Sequence, residues 1–330
     1  MKNISKIIIL VLAVVIASCT GDLGNYKQGA TGTPGEILVV LSDDYWNSEL
    51  GDSLKAVYHD YCNNTPMEEY IFNLVQIPQS QFVSINQRHR NLIIPAISKD
   101  FEKAQIVISR NFYAQKQVLV KIQASDAASM SKLISDNRES LIDVFLKADS
   151  ERWLEAFVKY QNLVVRKYIE DKYKVSMVIP KSYSLDVKRD NFAWISYETR
   201  KYDMGIFIYT YPFKDQNTFS LKYLLDKRDE VLKVNVPGGR KGSYMSTERI
   251  YDQPNMYIKN QKGNYAAYIT GLWRMENDFM GGPFISVTMA DTIRKRIVTV
   301  EGFVYHPNEE VRNQIRQLEA ILSTVNFVID

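Results

Sequence analysis

The hydrophobic pattern of this chain changes period several times, and each change predicts an element. Ile7 to Ala17 is an unbroken apolar run of eleven residues behind Lys2 and Lys6. A bilayer-spanning helix needs ~20 apolar residues, so this run has the length of a secretory h-region instead. Thr20 to Gly35 has no period and five glycines in sixteen residues, which predicts a flexible tether. From Glu36 the pattern becomes structural. Ile37 to Leu41 reads as a buried strand. Trp46, Leu50, Leu54, Val57 and Tyr61 then recur at helical spacing, with Asp43 or Asp44 as cap. Asn91 to Ile97, Ile106 to Ile108 and Val118 to Ala124 are further strands. Phe72 to Phe82 is undecided, with Pro78 favouring an edge or a loop.

Ser125 to Lys172 is the most helical stretch. Ser125 or Asp126 caps it, and Met130, Ile134, Leu141 and Phe145 share a face. Asp149-Ser150 reads as a break with a second cap, after which Trp153, Phe157, Val164 and Tyr168 continue the stripe. These helices are expected to cover the first sheet. The second half is richer in strands. Phe192 to Thr199 and Met204 to Tyr211 predict a hairpin. Asn217 opens a helix carrying Leu221, Leu224, Arg228, Val231 and Leu232, and Pro237 to Gly242 turns the chain. Strands follow at Tyr265 to Arg274, Phe284 to Ala290 and Arg296 to Tyr305. Asn308 is the expected cap of a last helix, with Glu309 and Glu310 at its positive end and Val311, Ile315, Leu318, Leu322 and Val325 as its stripe. The predicted class is α+β: two helix-on-sheet domains, 36–172 and 173–330, with mainly antiparallel sheets.

The residues after the h-region change the picture. Ile16-Ala17-Ser18-Cys19 resembles the bacterial lipobox, in which the thiol is acylated and the chain is cut before it. Residues 1–18 are then a signal peptide, and residues 19–35 the lipidated Cys19 and its tether. The alternative is an ordinary signal with a chance cysteine at the cut. Removing residues 1–18 takes away Lys2 and Lys6 and no acid, which leaves 39 basic and 38 acidic side chains. Such a balance gives no field for nucleic acid or an anionic membrane, so the expected membrane attachment is lipid. Cys62 is then the one remaining thiol, expected to be a small buried side chain without a disulfide.

The inventory for catalysis is thin. His59, His89 and His306 form no HExxH, no cysteine pair has zinc spacing, and GxSxG is absent. His59 and Cys62, three apart on a helix, are two ligands short of a metal site. No catalytic residue, metal or cofactor is therefore predicted. Two stretches are candidate binding sites. Arg88-His89-Arg90 offers two guanidiniums and an imidazole to a carboxylate or phosphate, or is a solvated strand entry. Gly271 to Phe284 crowds Trp273, Phe279 and Met280 around Gly281-Gly282-Pro283, whose backbone path is expected to be unusual. Exposed, these side chains favour recognition; folded inward, they finish the core.

The leader ending at Cys19, TPGEILVVLSDDYW, GLWRMENDFMGGPF and EGFVYHPNEEVRNQIRQLEAIL together resemble a bacterial lipoprotein family, domain of unknown function 4837, over essentially the whole mature chain. The resemblance implies an envelope lipoprotein with no established activity. The order of elements in the second half is loosely similar to Mog1/PsbP-like domains. Thr20 stands where inner-membrane lipoproteins carry an aspartate, and the tether lacks a dense acidic run. The expected product is a non-enzymatic binding module at the periplasmic face of the outer membrane, held there by its lipid, with an envelope protein or ligand as partner. An envelope hydrolase with a scattered site and a purely structural lipoprotein are the alternatives.

Overall fold

The computed structural model describes residues 27–328. Cys19, the leader and the start of the tether lie outside the described residues. Residues 27–35, expected to be tether, are docked on the first half. Lys27 Nζ donates to the Asn111 carbonyl at 2.7 Å, and the Ala30 and Thr31 amides donate to Gln115 and Arg88. Gly35 sits at φ +75°, donates to Asp149 at 3.0 Å, and lies so near Arg312 that a Cβ would fall 2.8 Å from its Nη2. Here glycine serves close approach and a left-handed turn, not flexibility.

The first sheet has the order β2-β1-β3-β5-β4, built from β1 (Glu36–Val40), β2 (Asn73–Ile77), β3 (Asn91–Ile97), β4 (Gln105–Arg110) and β5 (Val118–Ala124). Three of its four pairings are parallel and only β4–β5 is antiparallel. The α+β class with mainly antiparallel sheets holds for the structure as a whole, and this first sheet is the exception to it. The chain crosses from β1 to β2 through α1 (Asp43–Trp46) and α2 (Glu49–Tyr58), a βαβ step. One face of the sheet, with Ile37, Val39, Ile93 and Val120, packs on α2, α3 (Ala127–Asp136) and α4 (Arg138–Lys159). The other, with Leu38, Val40, Leu92 and Leu119, is covered only by loops carrying Phe82 and Tyr113. Both faces are covered, which is why these strands read as continuous apolar runs. Asp126 caps α3 as expected. There is no break at Asp149: α4 runs through it, because its carboxylate is paired with Arg152 at 2.6 Å and bonded to Gly35.

The second sheet is antiparallel throughout, in the order β10-β12-β13-β14-β9-β8-β7, with β11 also on β12. Helix α5 (Leu163–Tyr173) leads in through β6 (Val175–Ser176) to β7 (Ser184–Lys188), β8 (Phe192–Glu198) and β9 (Asp203–Pro212). Helix α6 (Leu221–Asn235) precedes β10 (Tyr244–Thr247), β11 (Asn255–Gln261), β12 (Asn264–Glu276), β13 (Gly281–Asp291) and β14 (Arg296–Tyr305). Helix α7 (Arg312–Leu322) and the short β15 (Asn326–Phe327), paired with β6, close the chain. Val165, Ile169 and Tyr173 of α5 pack with Leu318, Ile321 and Leu322 of α7 on one face of this sheet. Helix α5 thus belongs to the second core, not to the first layer as its sequence suggested. Leu224, Leu225 and Leu232 of α6 cover the opposite face. There Arg228 meets Glu301 at 2.9 and 2.7 Å, with its guanidinium 3.9 Å from the Phe284 ring centroid.

Helix α7 joins the halves. Asn308 does not cap it. The carboxylate of Glu69, in the first half, accepts from the Val311 and Arg312 amides at 2.8 and 2.9 Å. Arg312 reaches the Tyr70 carbonyl, and Arg316 reaches the Ile71 carbonyl at 2.7 Å while lying over Phe72. At the other end, the Gln261 amide donates to the carbonyls of Leu322, Ser323 and Val325. The helix is thus held at both termini by side chains from elsewhere, which satisfies backbone groups that helix ends leave unpaired. Glu69→Ala is expected to lower the unfolding free energy by about 2 kcal/mol, since it removes a cap and strands buried donors. Denaturant titration beside the exposed neighbour Glu68→Ala checks this. Equal, sub-0.5 kcal/mol effects of the two substitutions, on the order of ordinary surface changes, would contradict it.

Candidate functional site

Where α4, α7 and the second sheet converge, the halves enclose a cleft of about 520 Å³. One wall is α4, through Asp143, Leu146, Lys147, Ser150 and Trp153. The other is the sheet, through Tyr257, Lys259, Tyr268 and Ile285, and the floor is α7, through Arg316, Glu319 and Ser323. Periodicity sets this convergence. Arg316, Glu319, Ala320 and Ser323 recur at three- and four-residue steps on the face of α7 that its apolar stripe leaves over. Tyr257 and Tyr268 face each other across the β11–β12 ladder and stack at 5.3 Å with planes 7° apart. Lys259 Nζ lies 4.7 and 5.3 Å from their ring centroids. The Tyr268 hydroxyl donates to Gln261 at 2.7 Å, which ties the ring pair to the C-terminal end of α7.

The electrostatics of this cleft are unusual. The Glu319 side chain is exposed to the water of the cleft, between its two walls, and accepts no hydrogen bond from any described group. The protein crowded around it pushes its pKa above the ordinary carboxylate value, against the opposing pull of Arg316 and Lys259. The Tyr268 phenol is pushed up to about 12, by burial first and the Glu319 charge second. Asp143 and Lys147 at the rim make no ion pair with any described residue either. Asp143, Lys147 and Glu319 all face water, so they stand unpaired at little cost and remain open to a ligand. A cleft holding unpaired groups of both signs beside stacked rings has the composition of a ligand site.

The residues singled out in the sequence do not assemble there. Trp273 is 2% exposed inside β12 and donates to the Val304 carbonyl at 3.0 Å. Gly282 permits that approach, since a Cβ would fall 2.2 Å from the Val304 oxygen; the Gly-Gly-Pro stretch is ordinary strand, not an unusual path. Met280 and Trp273 together line a smaller apolar pocket of about 240 Å³ with Trp194, Met204 and Met275. Phe279, 90% exposed at the turn, lies under Arg240. Trp273 and Met280 thus share a pocket, while Phe279 stands outside it on the surface. Arg88, His89 and Arg90 also diverge. Arg88 holds the Gly29 carbonyl, and His89 is buried between Glu36 at 2.8 Å and the Asn91 carbonyl. Arg90 points to Asp149 at 3.8 Å. They anchor residues 29–36 rather than forming an anion site. His59 stacks on Tyr70 at 4.3 Å, and the half-buried Cys62 thiol faces the Tyr70 carbonyl. His306 faces the Glu310 carbonyl. Among the described residues no three His, Cys, Asp or Glu side chains gather as metal ligands.

Comparison with known proteins divides the chain near the α4–α5 junction. The family model described as domain of unknown function DUF4837 matches residues 162–324, and a second, domain of unknown function DUF8532, matches residues 30–158. The TPGEILVVLSDDYW stretch thus lies within the residues that the second model matches, so the match to DUF4837 covers the second half rather than the whole. No curated protein matches. Among solved structures, a single-substitution mutant of the protein Mog1 is 13% identical with TM-score 0.32, covering 47% of this chain and 91% of its own. The Ran-binding protein Mog1p of Saccharomyces cerevisiae is 10% identical with TM-score 0.32, covering 47% and 90%. The lipid transfer and protein localization domain of human StarD13 is 9% identical with TM-score 0.22, covering 49% and 97%. Similarity this low carries no function across.

The raised pKa of Glu319 makes a signed prediction. A carboxyl that binds its proton more tightly when folded costs stability as pH rises from its unfolded value through its folded one. Glu319→Gln is expected to match the parent protein near pH 4 and to be the more stable of the two at pH 8. Thermal unfolding across that range checks it; a variant less stable than the parent at pH 8 would contradict the unpaired state.

Proposed function

We propose that this chain, whose residues 162–324 match the DUF4837 family model, is a lipid-anchored binding protein of the cell envelope whose ligand site is the cleft over α7. The reading combines two separate supports. Membrane attachment rests on the sequence, through the basic start, the eleven-residue apolar run and the lipobox-like Ile16–Cys19. Binding rests on one observation, the unpaired Glu319 carboxylate on the floor of a 520 Å³ cleft walled by both halves.

The lining restricts the ligand. Trp153 and the Tyr257–Tyr268 pair offer flat apolar faces, while Lys259, Lys147, Asp143 and Glu319 offer charges of both signs. A small molecule with an apolar ring face and polar substituents matches these walls better than an extended aliphatic chain. Catalysis finds less support. His89, the one buried histidine of the described residues, spends both ring nitrogens on protein partners and has no hydroxyl or thiol among them.

Native mass spectrometry of the full chain extracted gently from its envelope tests the site. A discrete added mass, smaller than an acyl-lipid and lost in both Ser150→Trp and Glu319→Ala with their unfolding midpoints near the parent's, is the expected result. An added mass retained in both variants would move the site elsewhere, and no added mass in the parent protein would count against small-molecule binding.

A further inference from the structure

The face of the first sheet that lacks helices carries a second feature. Its loop cover ends in three outward apolar side chains: Val83 at 57%, Ile85 at 58% and Phe112 at 49% exposure. They belong to one neighbourhood. Phe112 packs edge-on against Tyr113 at 4.7 Å, and Tyr113 against Phe82 at 5.5 Å. Thr31 Oγ1 reaches the Ile85 carbonyl, and Lys27 Nζ reaches the Asn111 carbonyl beside Phe112. The described chain therefore begins in the middle of this patch. Its charge is positive: the Lys27 ammonium and the Arg88 guanidinium contact only carbonyl oxygens, so neither is neutralised. The nearby Glu151 and Glu155 are spent on Arg110 and Lys116.

We propose that Val83, Ile85 and Phe112, flanked by Lys27 and Arg88, rest in the headgroup layer of an anionic bilayer and fix the orientation of the protein on it. The argument rests on the anchor reading for proximity. Eight residue steps separate Cys19 from Lys27, a span of at most about 28 Å. An acylated Cys19 keeps this patch within reach of the lipid surface. Apolar side chains rimmed by cations are what such a surface accepts, so the patch sets orientation while the lipid supplies attachment. A second copy of the chain or a partner protein are the competing occupants.

The test uses the full chain with Cys62→Ser and a polarity-sensitive fluorophore at Phe112→Cys, or at Ile293→Cys in the second half as control. The N-terminal mass of the same preparation reports acylation. With phosphatidylcholine–phosphatidylglycerol vesicles carrying spin-labelled lipid, the label at 112 is expected to shift to the blue and be quenched, and the label at 293 to do neither. Lys27→Gln is expected to lower the vesicle partition coefficient about fivefold, from ~1 kcal/mol per surface cation. An unacylated N-terminus in the parent chain would remove the anchor, and quenching at 112 in the Cys19→Ser variant, which leaves no second thiol to label, would keep the patch. An acylated chain that pellets with vesicles while its 112 label stays water-like would overturn the patch and keep the anchor. A blue shift that grows with protein concentration in the absence of vesicles would assign the surface to a second copy.

Discussion

One carboxylate decides how the two halves meet. Glu69 lies 2% exposed beneath the first turn of α7 and accepts two of its free amides. The same turn sends Arg312 and Arg316 back into the carbonyls of residues 70 and 71. Positive helix end to carboxylate and guanidinium to peptide oxygen are complementary in both directions, so the helix-end amides and one nitrogen of each guanidinium find partners here, while Arg312 Nε and Arg316 Nη1 stay buried without one. Asn64 adds a second polar tie, to Asp252, Asn255 and Thr270. Since α7 also packs its apolar stripe on β13 and β14, it is at once a core helix of the second half and a docking element for the first. The cleft exists because α7 is fixed in that position.

Much of this fold was legible because its elements obey one period. The stripe of α7, the hairpin of β8 and β9, the turn at Pro237 to Gly242 and the strands β12 to β14 all follow from apolar spacing and turn residues. What escaped shares a cause: a polar residue whose partner is distant in sequence. Glu69 reads as a surface acid, and nothing near it announces a helix start 242 positions later. Arg312 and Arg316 read as the solvated face of an amphipathic helix, while they are its second buried face. Arg228 did carry a signal, a lone cation within an apolar helical stripe, and its partner Glu301 a lone acid within an apolar strand. Residues 27–35 were misread because glycine marks close approach as often as freedom, and composition does not distinguish the two.

The cleft illustrates the same limit. Tyr257, Tyr268, Trp153 and Glu319 come from three separated stretches, and β11 itself gave no clear strand pattern. The aromatic turn around Phe279, the most unusual local sequence, serves the core through Trp273 and a small pocket through Trp273 and Met280 together. Unusual local composition here marks tight packing, whereas the groups left without partners look ordinary in sequence and become conspicuous only by what they lack. The helix-free face of the first sheet stands apart from the cleft, with α4 and the sheet between them. Attachment and binding can thus occupy different sides of the same body.

The whole account requires that α7 stay locked between the halves in solution. Amide hydrogen exchange of the intact protein measures this residue by residue. The Val311 and Arg312 amides and the turns after them are predicted to exchange as slowly as those of β14, opening only with global unfolding. Exchange of this first turn at the rate of the exposed loops would mean that the halves part freely, and neither the junction nor the cleft it forms would survive that result.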